Sequence, residues 1–205
     1  MDAHEGRAIL VRRGPRFVEC SSGCGCRLDS TQSCRCRFVS DGLYERGIRG
    51  STGPEHRSAP GLTVEEIDLQ DLDRLHGFSV ALSDGFGIPS DIIETTQKAV
   101  QIEYAAPGWH VYLASIEGCQ AGMATLYADG TVASIDAMAT VPCYRRRGCQ
   151  TALLQRCIAD AARAGCELLA SQTLSGSTSE RNMARAGFRV AYTKALYSER
   201  SGVPG

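Results

Sequence analysis

From Leu62 onward the chain alternates between two hydrophobic periodicities, and their order is the feature that most restricts the fold. A period of two residues is typical of a strand, and a period of 3.6 residues is typical of an amphipathic helix. The order predicts one strand, two helices, a meander of three strands, and then helix, strand, helix and strand. This succession indicates a layered α/β domain in which helices flank a mixed, mostly antiparallel central sheet.

Several helix ends are marked by residues that favour caps. Gly85 is predicted to end the first helix and Ser90 to cap the second. Ser177 and Glu180 form the S-x-x-E pattern of a capping box at the start of the last helix. The clearest apolar stripe belongs to the third helix and consists of Leu153, Leu154, Cys157, Ile158 and Ala161.

Residues 1–60 differ in composition from the rest of the chain. They contain ten Arg and seven Asp or Glu, whereas the remainder contains twelve Lys or Arg and sixteen Asp or Glu. Hydrophobic periodicity is weak here, and the stretch "RGIRGSTGPEHRSAPG" is typical of a linker. We therefore expect a largely disordered Cys/Arg/Gly-rich extension over residues 1–60 and a globular domain over residues 61–205.

Ten cysteines are present, and half of them are crowded near the N-terminus: Cys20, Cys24, Cys26, Cys34 and Cys36. Their spacing lacks the C-x2-C pairs that are typical of zinc sites, so no metal is expected, although a zinc site is an open alternative. No apolar run approaches the ~20 residues of a membrane helix. Since no secretory segment is recognisable either, we expect a cytoplasmic protein without a disulfide framework.

Three arginines and a glycine, residues 145–148, lie between a predicted strand and the helix with the clearest stripe. The first amides of a helix have no carbonyl partner and lie at the positive end of its dipole. Gly148 lets the backbone approach a ligand closely, and arginines form charge-assisted bonds with phosphate. Because the net charge of the chain is only −1, this local charge favours a pyrophosphate over a nucleic acid. A solvated basic turn is the other interpretation.

The segment "VPCYRRRGCQTALL" resembles the acyl-CoA loop of the GNAT superfamily of N-acetyltransferases, whose usual form is [QR]-x-x-G-x-[GA]. Arg145 and Gly148 occupy the first and fourth positions, and Gln150 stands where glycine or alanine is usual. "TVASIDAMATV" is similar to the central strand of the family, and "SERNMARAGF" to its helix that ends in G-F. The resemblance covers about residues 61–200.

The resemblance implies a GNAT-like fold and an N-acetyltransferase that moves an acetyl group from acetyl-CoA to a primary amine. The amine would belong to a small molecule or a peptide, and it would attack directly in a ternary complex. The pantetheine arm would lie along the central strand, and Asn182 of the last helix would contact the cofactor. The residues expected to bind acetyl-CoA are Met138, Ala139, Thr140, Arg145, Arg146, Arg147, Gly148, Cys149, Gln150, Thr151 and Asn182.

Asp136 is the candidate general base. An alkyl ammonium of pKa ~10 is protonated at pH 7, so the acceptor amine must lose a proton before it attacks. Asp136 precedes Met138 by two residues and is therefore expected on the same face of the strand. A purely structural role in a hydrogen-bond network, or simple exposure to solvent, is the other interpretation.

A non-catalytic module that binds acyl-CoA is the alternative function. Met183 stands where many relatives carry a tyrosine that acts as a general acid, and Gln150 departs from the usual motif. Tyr192 or Tyr197 could supply the acid, although both also fit as ordinary strand residues. No membrane partner is expected, and a homodimer through exposed sheet edges is a further alternative.

Overall fold

The computed structural model describes residues 36–48 and 60–199, with side chains for residues 42–48 and 60–194. Its contacts divide the chain into a main unit, residues 42–193, and a second unit whose described residues are 36–41 and 194–199. The strands are β1 (Cys36–Gly47), β2 (Leu62–Glu66), β3 (Trp109–Ile116), β4 (Cys119–Asp129), β5 (Val132–Thr140), β6 (Leu168–Leu174) and β7 (Arg189–Glu199). The helices are α1 (Leu72–Phe86), α2 (Ile93–Glu103), α3 (Cys149–Arg163) and α4 (Thr178–Arg185).

The strands form a seven-stranded sheet with the strand order β2-β3-β4-β5-β6-β1-β7. Strands β2 to β5 pair antiparallel with one another, whereas β5 and β6 pair parallel. The mixed, mostly antiparallel sheet and the order of elements after Leu62 confirm the predicted fold class. The parallel pair is possible because α3 carries the chain back from the end of β5 to the start of β6.

Two apolar clusters show which helix covers which face of the sheet. Under α1 and α2, Phe78 packs with Val111 and Met123. On the opposite face, Leu153 of α3 packs with Leu126. We call these the α2 face and the α3 face. Side chains that alternate along β3 and β4 are buried on both faces, which explains why these strands are apolar almost throughout.

Strand β1 differs from the prediction, since its residues belong to the segment expected to be disordered. Tyr44, Arg46 and Ile48 are buried, and Glu45 between them is exposed, so this segment has the period of a strand. The amide of Ile48 donates to the carbonyl of Glu167, just before β6 (2.9 Å). Because the inward position 46 is an arginine, this segment does not show the alternation of apolar and polar residues that predicts a strand. The division into an extension and a domain otherwise stays a prediction, and Cys20, Cys24, Cys26 and Cys34 lie outside the described residues.

Two predicted helix ends are shifted and one is confirmed. Helix α1 continues past Gly85 and ends at Gly87, whose left-handed backbone (φ 71°) forms the cap. Ser90 begins a short 3-10 helix rather than capping α2, which starts at Ile93. Ser177 caps α4 as predicted, because its Oγ accepts a hydrogen bond from the amide of Glu180 (3.0 Å). The Glu180 carboxylate accepts from the amide of Gly176 and not from that of Ser177, so the reciprocal bond of a capping box is replaced by its neighbour's.

Gly85 is needed where α1 packs against β5. A Cβ at this position would lie 2.5 Å from the Cβ of Ala139, which is closer than two carbons can approach. Gly85→Ala should therefore lower the free energy of unfolding by about 1–3 kcal/mol. Helix propensity alone would raise that free energy by up to about 1 kcal/mol, so urea unfolding of the variant tests the packing by its sign.

Gly77, in the same helix, provides a matched control. A Cβ there would meet the side chain of Gln120, 2.9 Å from its Cγ, and this exposed side chain can move aside. Gly77→Ala should therefore leave the free energy of unfolding unchanged or raise it. Equal losses in the two variants would contradict the close packing of α1 on β5.

Candidate functional site

The arginine-rich turn connects β5 to α3 through two residues with left-handed backbone. After the 3-10 helix Pro142–Tyr144, Arg146 has φ 63° and Gly148 has φ 88°. Glycine adopts such angles readily, whereas a residue with a Cβ seldom does. The chain reverses within these few residues, and α3 therefore begins directly beside the end of β5.

The first turn of α3 leaves amide hydrogens without a partner in the helix. The first backbone bond at this end runs from the amide of Ala152 to the carbonyl of Gly148 (3.0 Å). Gly148 is the N-cap and has no side chain that could accept a bond from the first turn. The amides of Cys149, Gln150 and Thr151 thus lie at the positive end of a 15-residue helix. Such an end attracts anions.

The turn and the helix start line a cleft of about 920 Å³, which is large enough for a cofactor-sized ligand. The residues expected to bind acetyl-CoA that line it are Met138, Ala139, Thr140, Arg145, Arg146, Gly148, Cys149, Gln150, Thr151 and Asn182. Arg147 is not among the described lining residues. Its guanidinium carbon lies 5.6 Å from the ring centroid of Tyr144 instead, at cation–π distance.

The cleft carries a concentrated positive charge. Four arginines line it, namely Arg46, Arg145, Arg146 and Arg185, and the described lining residues include no Asp or Glu. The whole chain has a net charge of −1, so this segregation is a property of the cleft and not of the protein. Several guanidinium groups beside a helix N-terminus favour a ligand with several negative charges.

Strands β5 and β6 separate beside the cleft. Within the described part of the chain, their parallel ladder ends at the pair Ile135 and Ser171, although β5 continues to Thr140. On its other edge β5 remains paired with β4 as far as Thr140. Among the strands that the structure describes, none pairs with the backbone of residues 136–140 on the β6 edge. That edge leads into the cleft through Met138, Ala139 and Thr140.

A β-bulge in β5 determines where Asp136 points. Ala124 pairs with Met138 and Leu126 pairs with Ile135, so that two residues of β5, Asp136 and Ala137, oppose the single residue Thr125. The amide of Ala137 donates to Thr125 Oγ1 (3.0 Å), which stabilises the bulge. The extra residue shifts the alternation of faces along the strand by one position.

As a result, Asp136 and Met138 lie on opposite faces, and the expectation that they share a face is wrong. Met138 packs against the cluster on the α3 face. Asp136 Oδ2 accepts a hydrogen bond from the hydroxyl of Tyr104 (3.2 Å), a residue of the cluster on the α2 face. Burial, followed by the charge of Asp136, raises the pKa of Tyr104, so its hydroxyl remains a neutral donor. Asp136 is not among the described residues that line the cleft, although Met138, two residues further along β5, is.

Gln150, which departs from the usual motif, connects the two helices beside the cleft. Its Nε2 donates to Ser179 Oγ (2.8 Å), and its Oε1 accepts from Nδ2 of Asn182 (2.5 Å). Asn182 Oδ1 in turn accepts from Arg185 (3.1 Å). The longer side chain thus spans from α3 to α4, and a glycine or alanine at this position could not make these bonds.

Two further positions considered in the sequence are core residues. Cys149 is buried beside the turn, its thiol donates to the carbonyl of Tyr144 (3.8 Å), and burial raises its pKa. Met183 is 2% exposed within the cluster on the α3 face, so the position of the family tyrosine contributes to packing here. Tyr192 is exposed, and the side chain of Tyr197 is outside the described part of the chain.

The sequence prediction missed three charged or aromatic residues that line the cleft. Arg46 comes from β1, Phe86 from the last turn of α1, and Arg185 from the last turn of α4. A signal for Arg185 was present, since it follows Asn182 by three residues and therefore lies on the same side of the helix. Arg46 and Phe86 lie at the cleft because of how β1 and α1 pack in the fold, and the local sequence does not predict that packing.

Other classes of site find no support among the described residues. None of the described helices combines the length and the apolar character needed to cross a bilayer. In the same ranges, no three His, Cys, Asp or Glu side chains are grouped so that they could hold a metal ion. The five cysteines with described side chains are free thiols.

Residues 79–188 match the profile of the family described as Acetyltransferase (GNAT) family. The matched range is more than half of the chain and includes α3, α4 and the arginine-rich turn. The chain belongs to this family, and the resemblance noted in the sequence is confirmed. A comparison with curated proteins gives no match.

Solved structures share the fold at low sequence identity. The GCN5-related N-acetyltransferase from Sphaerobacter thermophilus superposes with a TM-score of 0.64 and 21% identity, covering 79% of this chain and 52% of its own. An acetyltransferase from the GNAT family of Colwellia psychrerythraea gives 0.58 and 15%, with coverages of 78% and 56%. A GCN5-related N-acetyltransferase from Kribbella flavida gives 0.55 and 14%, with 82% and 61%. The chain therefore spans about half to three fifths of these proteins.

Proposed function

We propose that the protein transfers the acetyl group of acetyl-CoA to a primary amine of a small molecule or a peptide, by direct attack in a ternary complex. The main support for this proposal is the cleft at the start of α3, whose described lining includes four arginines and no carboxylate. Coenzyme A carries a diphosphate and a ribose phosphate, and such a cluster of negative charge fits this lining.

Each part of the cleft has a role in this proposal. The amides of Cys149 to Thr151, together with Arg145 and Arg146, bind the diphosphate. The pantetheine arm lies along the free edge of β5, where backbone groups of Met138 to Thr140 form its hydrogen bonds. Gln150 and Asn182, which are bonded to each other, form the opposite wall.

Acetyl-CoA supplies an activated carbonyl carbon, whose bond to sulfur breaks as its bond to the amine nitrogen forms. A backbone amide near Met138 stabilises the negative charge that develops on the carbonyl oxygen. Asp136 accepts the proton that the amine loses, and the sulfur leaves as a thiolate that is protonated by solvent. Asp136 acts from the α2 face, two residues along β5 from Met138 in the cleft lining, so the carboxylate and the cofactor meet where β5 and β6 separate.

The cofactor part is tested by thermal unfolding with two ligands. Acetyl-CoA at about 100 times its dissociation constant should stabilise the protein by about 2.7 kcal/mol. S-acetylpantetheine has the same thioester but no phosphate groups, and at the same concentration it should give little or no increase in Tm. Equal stabilisation by both ligands would contradict a site built around the diphosphate.

The transfer part is tested by release of free thiol from acetyl-CoA in the presence of a panel of primary amines. Turnover that requires both the protein and an amine supports the acetyltransferase. Binding of acetyl-CoA without turnover on any amine would favour the non-catalytic module, for which the burial of Met183 in the core is the supporting observation.

A further inference from the structure

We propose that the α2 face beside Asp136 is the acceptor subsite, and that it selects primary amines whose carbon chain carries an apolar or aromatic group. This inference rests on the proposed function, because it names the amine class for the same reaction. It is carried by an aromatic cluster that lies next to an exposed carboxylate at the gap between β5 and β6.

Three rings form the cluster. The ring of Trp109 lies 4.7 Å from that of Tyr104 and 5.0 Å from that of Tyr127, measured between centroids. Trp109 pairs with Tyr127 across β3 and β4, and Tyr127 pairs with Ser134 across β4 and β5. These paired residues form a row across β3, β4 and β5 that runs from the rings to β5. The row remains partly accessible to solvent, because its members Trp109, Tyr127 and Ser134 are half-buried.

Asp136 supplies the negative charge beside the rings. It is exposed, and its Oδ2 accepts from Tyr104, a member of the ring cluster. Among the described residues no Lys, Arg or His forms an ion pair with it, and its Oδ1 accepts no hydrogen bond from them. The bulge at Ala137 turns this carboxylate towards the rings and not into the arginine-lined cleft.

The chemistry of the two features is complementary. An ammonium group gains from a carboxylate and from the face of an aromatic ring, whereas a phosphate or a carboxylic acid would be repelled by Asp136. The apolar part of an amine packs on Trp109 and Tyr127, whose rings offer area at little cost in conformational freedom. A hydroxyl-rich amine, such as an amino sugar, loses its hydration against the rings without regaining hydrogen bonds.

The position relative to the cofactor is consistent with transfer. Asp136 is two residues from Met138, about 7 Å along the strand, and Met138 lines the cleft. The ladder between β5 and β6 has already ended there, so no strand separates the rings from the acetyl group. An amine held by Asp136 can therefore approach the thioester from the α2 face.

Trp109 gives a direct readout, because it is the only tryptophan in the chain. Titration of the CoA-loaded protein with 2-phenylethylamine should change its fluorescence in a saturable way. Two analogues test the two parts of the subsite. The first, 2-phenylethanol, has the ring but no positive charge, and the second, glucosamine, has an amine but no apolar group. Each should bind about tenfold more weakly than 2-phenylethylamine. An unchanged signal with 2-phenylethylamine, or equal affinities for the three compounds, would overturn the proposal.

Variants distinguish the contribution of the Asp136 carboxylate to amine binding from that of the aromatic rings. Asp136→Asn should weaken binding of 2-phenylethylamine about tenfold, with Asp129→Asn, another exposed carboxylate on the sheet, as the unchanged control. Tyr127→Leu should lower kcat/KM for 2-phenylethylamine about tenfold relative to glucosamine, and Tyr127→Phe should retain the preference. Val190→Ala, which removes exposed apolar atoms on β7, should have no effect.

The experiments distinguish an error in this inference from an error in the proposed function, because the two predict different outcomes. If Tyr127→Leu changes the turnover of all amines equally, or of none, selection by the rings is wrong, even though acetyl-CoA still stabilises the protein. If acetyl-CoA neither stabilises the protein nor releases thiol with any amine, the proposed function itself fails.

Discussion

Gly148→Ala should weaken binding of acetyl-CoA about 10- to 100-fold, as measured by calorimetric titration. Hydrogen bonds to a charged group contribute about 1.5–3 kcal/mol, and the first amides of α3 are the donors that the proposal assigns to the diphosphate. Gly148 lines the cleft and is the N-cap of this helix. A Cβ at its φ of 88° would be strained and would also obstruct the approach of the ligand to these amides.

Gly165→Ala is the control, because it separates backbone strain from the loss of the binding surface. Gly165 lies just past the other end of α3, has a similar φ of 82°, and a Cβ there would meet no atom within 4 Å. Both variants should lose about 1–2 kcal/mol of stability through the left-handed backbone, but only Gly148→Ala should lose affinity. Unchanged affinity in Gly148→Ala would show that the turn does not bind the diphosphate.

Asp160→Ala should lower the free energy of unfolding by about 3 kcal/mol, the largest stability effect that we expect from a single polar residue. Asp160 is 6% exposed. Its Oδ2 accepts from the hydroxyl of Tyr112 (2.8 Å) and from Nε of Arg156 (2.7 Å), and its Oδ1 accepts from Arg163. Removal of the carboxylate leaves the buried hydroxyl of Tyr112 and a half-buried guanidinium without their acceptor.

The matched variant is Tyr112→Phe, which removes one hydroxyl but keeps the ring and the carboxylate. It should cost about 1 kcal/mol, so its Tm should fall by about 2–4 °C and that of Asp160→Ala by about 6–12 °C. A smaller effect for Asp160→Ala than for Tyr112→Phe would contradict the role of Asp160 as the common acceptor.

Elements with a regular period were predictable from the sequence. The stripe of Leu153, Leu154, Cys157, Ile158 and Ala161 is buried as predicted, because a long helix against a sheet has only one way to cover its apolar side. The arginine-rich turn was equally predictable from the sequence, because its arginines and its glycine are contiguous. Ten of the eleven residues expected at the cofactor accordingly line one cleft.

The missed features depend on single residues that interrupt a period. The bulge at Asp136 and Ala137 shifts the alternation of β5, and no side chain in "SIDAMAT" marks it, because Thr125 on the neighbouring strand accepts the displaced amide. Strand β1 was missed because Arg46 occupies an inward position. Gly85 suggested a helix end, yet it serves close packing against Ala139. Each depends on a partner that is distant in the sequence.

A crystal structure of the protein with coenzyme A tests the central claim most directly. We predict that diphosphate oxygens lie within hydrogen-bond distance of amides in residues 148–151 and that the pantetheine lies along β5 at residues 138–140. Coenzyme A bound elsewhere, or a diphosphate that contacts none of these amides, would contradict the account.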